Sequence, residues 1–122
     1  MPTDGTPTDG GAGHPGPECD CVLAIHRVDL LDREYLGMDD DFGEVSVETC
    51  RHCGTRWVEY LLEDEYETAS GRWWRAPFDP ADGPRPTTLT ARSYLESRDW
   101  RIVGGSAWGG RVHVVRGPVT ID

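Results

Sequence analysis

The sequence predicts an α+β fold, mainly antiparallel strands with one helix near residues 88–98, pinned by a cluster of four cysteines. Short runs that alternate between apolar and polar residues are typical of strands, and turn residues separate them. Helical spacing of apolar residues is clearest at Ala91, Tyr94 and Leu95. All four cysteines fall in two close pairs, so one site can join two distant parts of the chain.

The two cysteine pairs have the spacing of zinc ligands. Cys50 and Cys53 form a C-x-x-C turn, followed by Gly54, where such turns often need a positive φ. Cys19 and Cys21 lie two residues apart, and residues i and i+2 of an extended strand share one face. Zinc takes four soft ligands in a tetrahedron, and a closed four-cysteine site has a structural role. We therefore expect all four cysteines to hold one structural zinc ion.

Other chemistry remains open for these cysteines. A redox C-x-x-C pair normally opens a helix, whereas residues 55–61 are β-branched and aromatic and predict a strand. Disulfides would suit a secreted chain, but no secretory signal is expected here, and an iron centre is a further alternative. His26 or His52 could replace one cysteine ligand, although we expect both to lie in solvent or beside the site. We expect Arg51, His52 and Arg56 to offset the charge of the thiolates.

The segment Cys50-Arg51-His52-Cys53-Gly54 resembles the knuckle of zinc-ribbon proteins. In those proteins, two such knuckles clamp one zinc ion beside a small antiparallel sheet. The segment Cys19-Asp20-Cys21 is one residue shorter than a standard knuckle, so the resemblance covers the four ligands and their flanks only. The resemblance implies a structural zinc site, and zinc ribbons bind nucleic acid, bind protein or stabilise a fold.

The N-terminal third divides into a tail, an apolar run and an acidic turn. Residues 1–17 are almost entirely Pro, Gly, Thr and Asp, which predicts a disordered tail before a single domain over residues 18–122. The apolar run 22–31 predicts a strand, although residues 29–36 could instead be helical. Residues 37–43 predict a solvated acidic turn, because EF-hand spacing and its closing glutamate are missing.

The remaining elements predict a hairpin sheet with one helix. Strands are predicted where apolar and polar residues alternate or β-branched and aromatic residues cluster, at residues 44–49, 57–63, 72–78, 101–103 and 111–115. The proline-rich segment 79–86 predicts a loop, and Thr88 or Thr90 can cap the helix that follows. The glycine-rich segment 104–110 predicts the long tip of a closing hairpin.

Charge is distributed unevenly along the chain. The 122 residues carry 22 acidic and 12 basic side chains, for a net charge of −10, and every basic residue is arginine. The absence of lysine excludes Schiff-base and P-loop chemistry. Residues 1–70 contain 17 of the 22 acids and 4 of the 12 arginines. We therefore expect an acidic face that attracts basic proteins and repels phosphate backbones.

The sequence contains no complete catalytic motif. Ser106 lies in Gly104-Gly105-Ser106-Ala107-Trp108, which lacks the last glycine of a G-x-S-x-G elbow and lies between predicted strands. His113 belongs to no metal or acid–base motif. We therefore assign no catalytic residue, and a small enzyme with an unrecognised site remains an alternative.

These observations favour a non-enzymatic, cytoplasmic zinc protein that acts as an acidic protein-interaction module with a basic partner. An immunity or antitoxin-like protein that masks a cationic toxin would fit this description. The alternative is a nucleic-acid-binding zinc ribbon, in which Trp73 and Trp74, flanked by arginines, would stack on single-stranded bases. We expect both tryptophans to lie in the core instead. No apolar run is long enough to predict a membrane span.

Overall fold

The computed structural model describes residues 15–23, 27–64 and 66–122. Six antiparallel strands form one sheet, in which each strand pairs with the next along the chain. The strands are β1 (Leu31–Met38), β2 (Glu44–Cys50), β3 (Arg56–Leu62), β4 (Arg72–Phe78), β5 (Trp100–Gly104) and β6 (His113–Arg116). One helix, α1 (Ala91–Glu96), and three 3-10 turns complete the described elements, the turns at Asp20–Val22, Pro80–Asp82 and Ser106–Trp108. The prediction of mainly antiparallel strands with one helix is confirmed.

The central strands bury side chains on both faces of the sheet. The face covered by α1, which we call the helix face, is mostly apolar and includes Val45, Val58, Tyr60, Trp74, Ala76, Leu95 and Ile121. The opposite face, which we call the cysteine face, includes Cys21, Val22, Leu31, Cys50, Trp57, Trp73 and Ile102. Successive side chains of a strand point to opposite faces, so the neighbours Trp73 and Trp74 join different clusters. They are 6% and 7% exposed, which confirms that both belong to the core.

The predictions for the start of the domain are wrong. Residues 22–31 do not form a strand where they are described, because Val22 ends a 3-10 turn and β1 begins only at Leu31. Residues 31–36 are extended rather than helical. β1 is an edge strand in which Leu31 is the one buried residue, so its own apolar pattern is weak. The position of β1 is set by its antiparallel pairing with β2, in which Leu31 lies opposite Cys50.

The helix is shorter than predicted and ends against a buried arginine. It begins at Ala91 and ends at Glu96, and the side chain of Thr90 does not cap it. Ala91 and Leu95 are fully buried against the sheet. Arg101 of β5 is fully buried and donates to the Leu95 carbonyl oxygen at 2.9 Å. This contact satisfies a carbonyl that the last turn of a helix leaves without an intrahelical partner.

Residues 15–17, at the end of the predicted tail, are described, and the rest of that tail lies outside the described residues. Gly16 packs closely against the Trp100 indole. A Cβ atom added to Gly16 would lie only 3.0 Å from Cη2 of Trp100. Within residues 15–23, 27–64 and 66–122, no helix is long and apolar enough to cross a membrane.

Candidate functional site

The second cysteine pair closes the turn between β2 and β3. Cys50 is the last residue of β2, and its carbonyl oxygen accepts a hydrogen bond from Gly54 N at 2.9 Å. Gly54 has a φ of +80°, the left-handed conformation that the sequence predicts for it. The backbone N–H groups of His52 and Cys53 donate to Cys50 Sγ at 3.3 and 3.4 Å. The turn therefore supplies two donors to a sulfur that would carry negative charge in a metal site.

The first cysteine pair lies on a short turn rather than on the predicted extended strand. Cys19 is extended, with φ −152° and ψ 149°, but Asp20–Val22 forms a 3-10 turn. Cys21 and Val22 are fully buried on the cysteine face. The turn therefore folds over the sheet and carries both sulfurs towards the second pair.

The four sulfurs form one cluster, in which the ligand atoms all lie within 4.8 Å of one another. The Sγ atoms of Cys19 and Cys50 are 3.7 Å apart, and those of Cys21 and Cys53 are 3.6 Å apart. A tetrahedral site with metal–sulfur bonds of about 2.3 Å separates its sulfurs by about 3.8 Å. A disulfide bond is much shorter, at about 2.05 Å, and all four cysteines are free thiols. This cluster could hold a metal ion.

Burial differs among the sulfurs, and the pKa values of Cys21 and Cys53 differ with it. Cys21 is buried and Cys53 is exposed. Burial raises the pKa of the Cys21 thiol, and a hydrogen bond with Cys53 raises this pKa further. Desolvation also opposes ionisation of Cys53, but hydrogen bonds with the hydroxyl and backbone of Thr55 and with the Cys21 and Cys19 thiols together outweigh it and lower the Cys53 pKa to about 6. Cys53 therefore ionises before Cys21, and metal binding would draw the proton from Cys21.

Trp57 places a buried N–H group beside the sulfurs. Its side chain is fully buried, and its indole Nε1 has no hydrogen-bond acceptor among the described residues. Burial has the larger effect on the pKa of Cys21, but the nearby Trp57 N–H, although it makes no hydrogen bond of good geometry, acts against it and lowers that pKa. A thiolate at Cys21 would be a better acceptor for this N–H than a neutral thiol. The orphaned donor therefore fits a cluster of metal-bound thiolates.

Arg51, one of the charged neighbours of the second pair, binds the segment around β1. Arg51 donates from Nε and Nη2 to Asp32 Oδ1 at 2.9 and 2.6 Å, and from Nη1 to the Val28 carbonyl oxygen. Its guanidinium is therefore engaged with β1 and the turn before it. His52 is exposed, and the described ligand cluster contains cysteines only. His26 lies outside the described residues.

A buried ion network lies under the first cysteine pair. Arg75 of β4 is fully buried and donates from Nε to Glu48 Oε1 at 2.8 Å and from Nη1 to the Val22 carbonyl oxygen at 3.0 Å. From the other side, Arg33 Nη1 contacts Glu48 at 2.9 Å and Glu59 at 3.1 Å. The network connects β1, β2, β3 and β4, and its hydrogen bond to Val22 attaches the first cysteine turn to them.

Ser106 and His113, the two side chains considered for catalysis, contact residues of the loops that flank β4 and β5. Ser106 Oγ accepts a hydrogen bond from Gly71 N at 3.0 Å, which joins the loop after β5 to the loop before β4. His113 is exposed, and its ring centroid lies 5.6 Å from that of Trp108. Neither residue joins the cysteine cluster, which lies near the opposite end of the strands.

The order of the strands gathers the acidic turns at one end of the sheet. Residues 38–44, 63–72 and 105–113 all connect strands at the end opposite the Cys50–Cys53 turn, and we call this the acidic end. Its described residues include two arginines, Arg72 and Arg111, and seven acids, which are Asp39, Asp40, Asp41, Glu44, Glu63, Asp64 and Glu67. Three aromatic side chains are exposed there, Phe42 at 75%, Tyr66 at 94% and Trp108 at 44%.

Most arginines of the C-terminal part have partners within the chain. Four of them form ion pairs with acids from the first 70 residues: Arg72 with Asp64, Arg75 with Glu48, Arg85 with Glu34, and Arg92 with Asp41. A fifth, Arg101, is fully buried. Five of the eight arginines of residues 71–122 are therefore paired with acids or buried.

Comparison of the chain with protein-family models, with curated proteins and with solved structures finds no match. The fold and the site define a small antiparallel-sheet protein with a four-cysteine cluster.

Proposed function

We propose that this chain is a non-enzymatic protein-interaction module, stabilised by a structural zinc ion, whose acidic end binds a basic protein. The observation that carries the proposal is the placement of both acidic runs, which are distant in sequence, at one end of a single sheet. An immunity protein that masks a cationic toxin would use such a surface.

Zinc is the metal that best suits the cluster. Cys19, Cys21, Cys50 and Cys53 offer four soft ligands, and the sulfur separations of 3.6 and 3.7 Å approach those of a tetrahedral zinc site. Four protein ligands leave no open position for a substrate or a water molecule. The ion would therefore supply folding free energy by linking the first cysteine turn to the β2–β3 turn.

A basic protein suits the acidic end better than a nucleic acid does. Its seven acids repel phosphate groups, and exposed acids attract cationic surfaces. Exposed aromatic rings beside carboxylates favour arginine in the partner, because a guanidinium can stack on a ring and pair with a carboxylate. Trp73 and Trp74 are buried and do not form a platform for bases.

Association kinetics with a defined cationic probe test this proposal. An arginine-rich peptide should associate faster at low salt than at physiological salt, because salt screens exposed charges beyond about 8 Å. The variant Asp40→Asn/Glu63→Gln/Glu67→Gln removes three exposed acids of the acidic end. Its association rate should fall about tenfold, within the range that electrostatic steering supplies.

The matched control variant is Glu18→Gln/Asp82→Asn/Asp99→Asn, which changes net charge equally at exposed positions elsewhere. It should slow association much less than the variant of the acidic end. Equal slowing by both variants would show that net charge alone attracts the peptide and that the acidic end is not the binding surface. Tight binding of a mixed-sequence single-stranded oligonucleotide would favour the nucleic-acid alternative.

A further inference from the structure

We propose that Cys53 is an oxidation site, through which peroxide converts the four-cysteine cluster into two disulfides, Cys21–Cys53 and Cys19–Cys50. The inference rests on the proposed zinc site only for the release of metal. The pairing of the sulfurs is inferred from the contacts between the two cysteine turns.

Cys53 is the point of entry because of its position at the surface. It is the exposed cysteine of the cluster, whereas Cys21 and Cys50 are buried. A cleft of about 670 Å³ opens beside it, with Thr55, Arg98 and Trp100 among its lining residues. A small oxidant such as hydrogen peroxide can therefore reach this sulfur without displacing any part of the fold.

Two contacts between sulfurs, within a cluster whose ligand atoms all lie within 4.8 Å of one another, favour the proposed pairing of the thiols. Cys21 Sγ lies 3.6 Å from Cys53 Sγ, and Cys19 Sγ lies 3.7 Å from Cys50 Sγ. Each contact joins the first cysteine turn to the β2–β3 turn, rather than two cysteines of the same pair. A bond of about 2.05 Å forms when each pair closes by roughly 1.6 Å.

The chemistry balances with hydrogen peroxide as the oxidant. The Cys53 thiolate attacks one peroxide oxygen and breaks the O–O bond, which gives a sulfenic acid and a hydroxide that is protonated to water. The Cys21 thiolate then attacks the sulfenic sulfur, forms the S–S bond and displaces a second hydroxide, which also becomes water. One disulfide thus consumes two thiolates, one peroxide and two protons. Cys19 and Cys50 use a second peroxide in the same way, and with no thiolate left the zinc ion is released.

These disulfides would keep the cysteine face covered after the metal has left. Both bonds attach the first cysteine turn to the sheet, where Val22 is fully buried over Arg75. Disulfides within each pair would leave that turn without a covalent attachment to the sheet. The cluster is therefore built to lose zinc on oxidation without uncovering Trp57 and Trp73.

Peptide mapping of the oxidised, full-length protein tests the pairing. Trypsin cleaves after Arg51 and Asp-N protease cleaves before Asp20, so a double digest separates all four cysteines. We expect cross-linked peptides that join Cys21 to Cys53 and Cys19 to Cys50. A chromogenic chelator should detect one zinc ion released for every two peroxides consumed.

The order of oxidation is tested with less than one equivalent of peroxide and a dimedone reagent, which traps sulfenic acids. The label should appear on Cys53, and the variant Cys21→Ser should retain the sulfenic acid at least tenfold longer. Cross-links within either pair, or a first label on another cysteine, would overturn the proposal. If the purified protein holds no zinc, that part of the proposed function fails, while mapping of the metal-free protein still decides the pairing.

Discussion

The buried guanidinium of Arg75 donates a hydrogen bond to the carbonyl oxygen of Val22 at 3.0 Å. Val22 directly follows Cys21, so a side chain from the centre of the sheet holds the turn that carries the first cysteine pair. The same guanidinium lies 4.0 Å from the centre of the Trp57 ring and pairs with Glu48 at 2.8 Å. The first cysteine turn is therefore held at two neighbouring places. The ion network binds it at Val22, and the sulfur cluster includes its Cys19 and Cys21.

Replacement of Arg75 should strongly destabilise the protein. The variant Arg75→Met leaves Glu48, which is 1% exposed, without its buried partner. Breaking a buried ion pair from one side typically costs about 3–5 kcal/mol of unfolding free energy, which urea denaturation measures. Zinc affinity should fall as well, because the Val22 carbonyl loses its donor.

The control for Arg75 is Arg85→Met, which removes an ion pair with Glu34 whose side chains are 49% and 60% exposed. This variant should cost about 0–1 kcal/mol, since water solvates both charges well. Similar losses in the two variants would contradict a special role for the buried network.

Removal of the metal should unfold the tertiary structure around the cysteine face. Elemental analysis of the purified protein should give one zinc per chain, and chelation should abolish the near-ultraviolet circular dichroism of the buried tryptophans. The variant Cys50→Ser should lose zinc and stability, whereas His52→Ala should change both little, because the His52 side chain is exposed. A protein that contains neither metal nor free thiols would instead indicate disulfides.

Truncation of the paired tryptophans should affect stability rather than binding. Trp73→Ala and Trp74→Ala each remove a side chain that is less than a tenth exposed, at a cost of about 3–5 kcal/mol. Trp108→Ala is the control, since this residue is 44% exposed and should cost about 1 kcal/mol or less. A loss of single-strand affinity at unchanged stability would refute the core assignment.

The turn between β1 and β2 should make stability depend on pH. Tyr60 donates from its hydroxyl to Asp39 Oδ2 at 2.6 Å, and Asp39 Oδ1 accepts from the N–H groups of Asp41 and Gly43. Desolvation opposes ionisation of Asp39, but these hydrogen bonds outweigh it and lower the Asp39 pKa. The stability that this carboxylate supplies is present above its unfolded pKa of about 3.9 and disappears as pH falls through the lower folded value.

The variant Tyr60→Phe should therefore cost about 1.5–3 kcal/mol at neutral pH, the usual value for a hydrogen bond to a charged group. The difference from the unsubstituted protein should shrink below about pH 4, as Asp39 becomes protonated. Denaturation curves between pH 2 and pH 7 measure both quantities. A difference that stays constant over this range would show that the carboxylate charge is not involved.

The sequence by itself determined the features that depend on neighbouring residues. Alternation of apolar and polar residues located β2, and clustered β-branched and aromatic residues between turns located β3 and β4, each to within a residue or two. The C-x-x-C spacing with Gly54 identified the turn between β2 and β3, since its left-handed glycine is a local requirement. The two close cysteine pairs, which account for all four cysteines, predicted one four-cysteine site.

The tertiary structure decided everything that depends on pairing between distant segments. β1 is an exposed edge strand, so only its register with β2 places it at residues 31–38. The ion network consists of buried charges, which include Glu48, Glu59 and Arg75. In the sequence, the one sign of it was that these charged residues occupy strand positions whose side chains point into the protein. The gathering of the acidic turns at one end, and the approach of Cys21 to Cys53, also follow from strand order and chain folding. Local periodicity carries no information about such contacts, because they are set by which surfaces pack together rather than by which residues are adjacent.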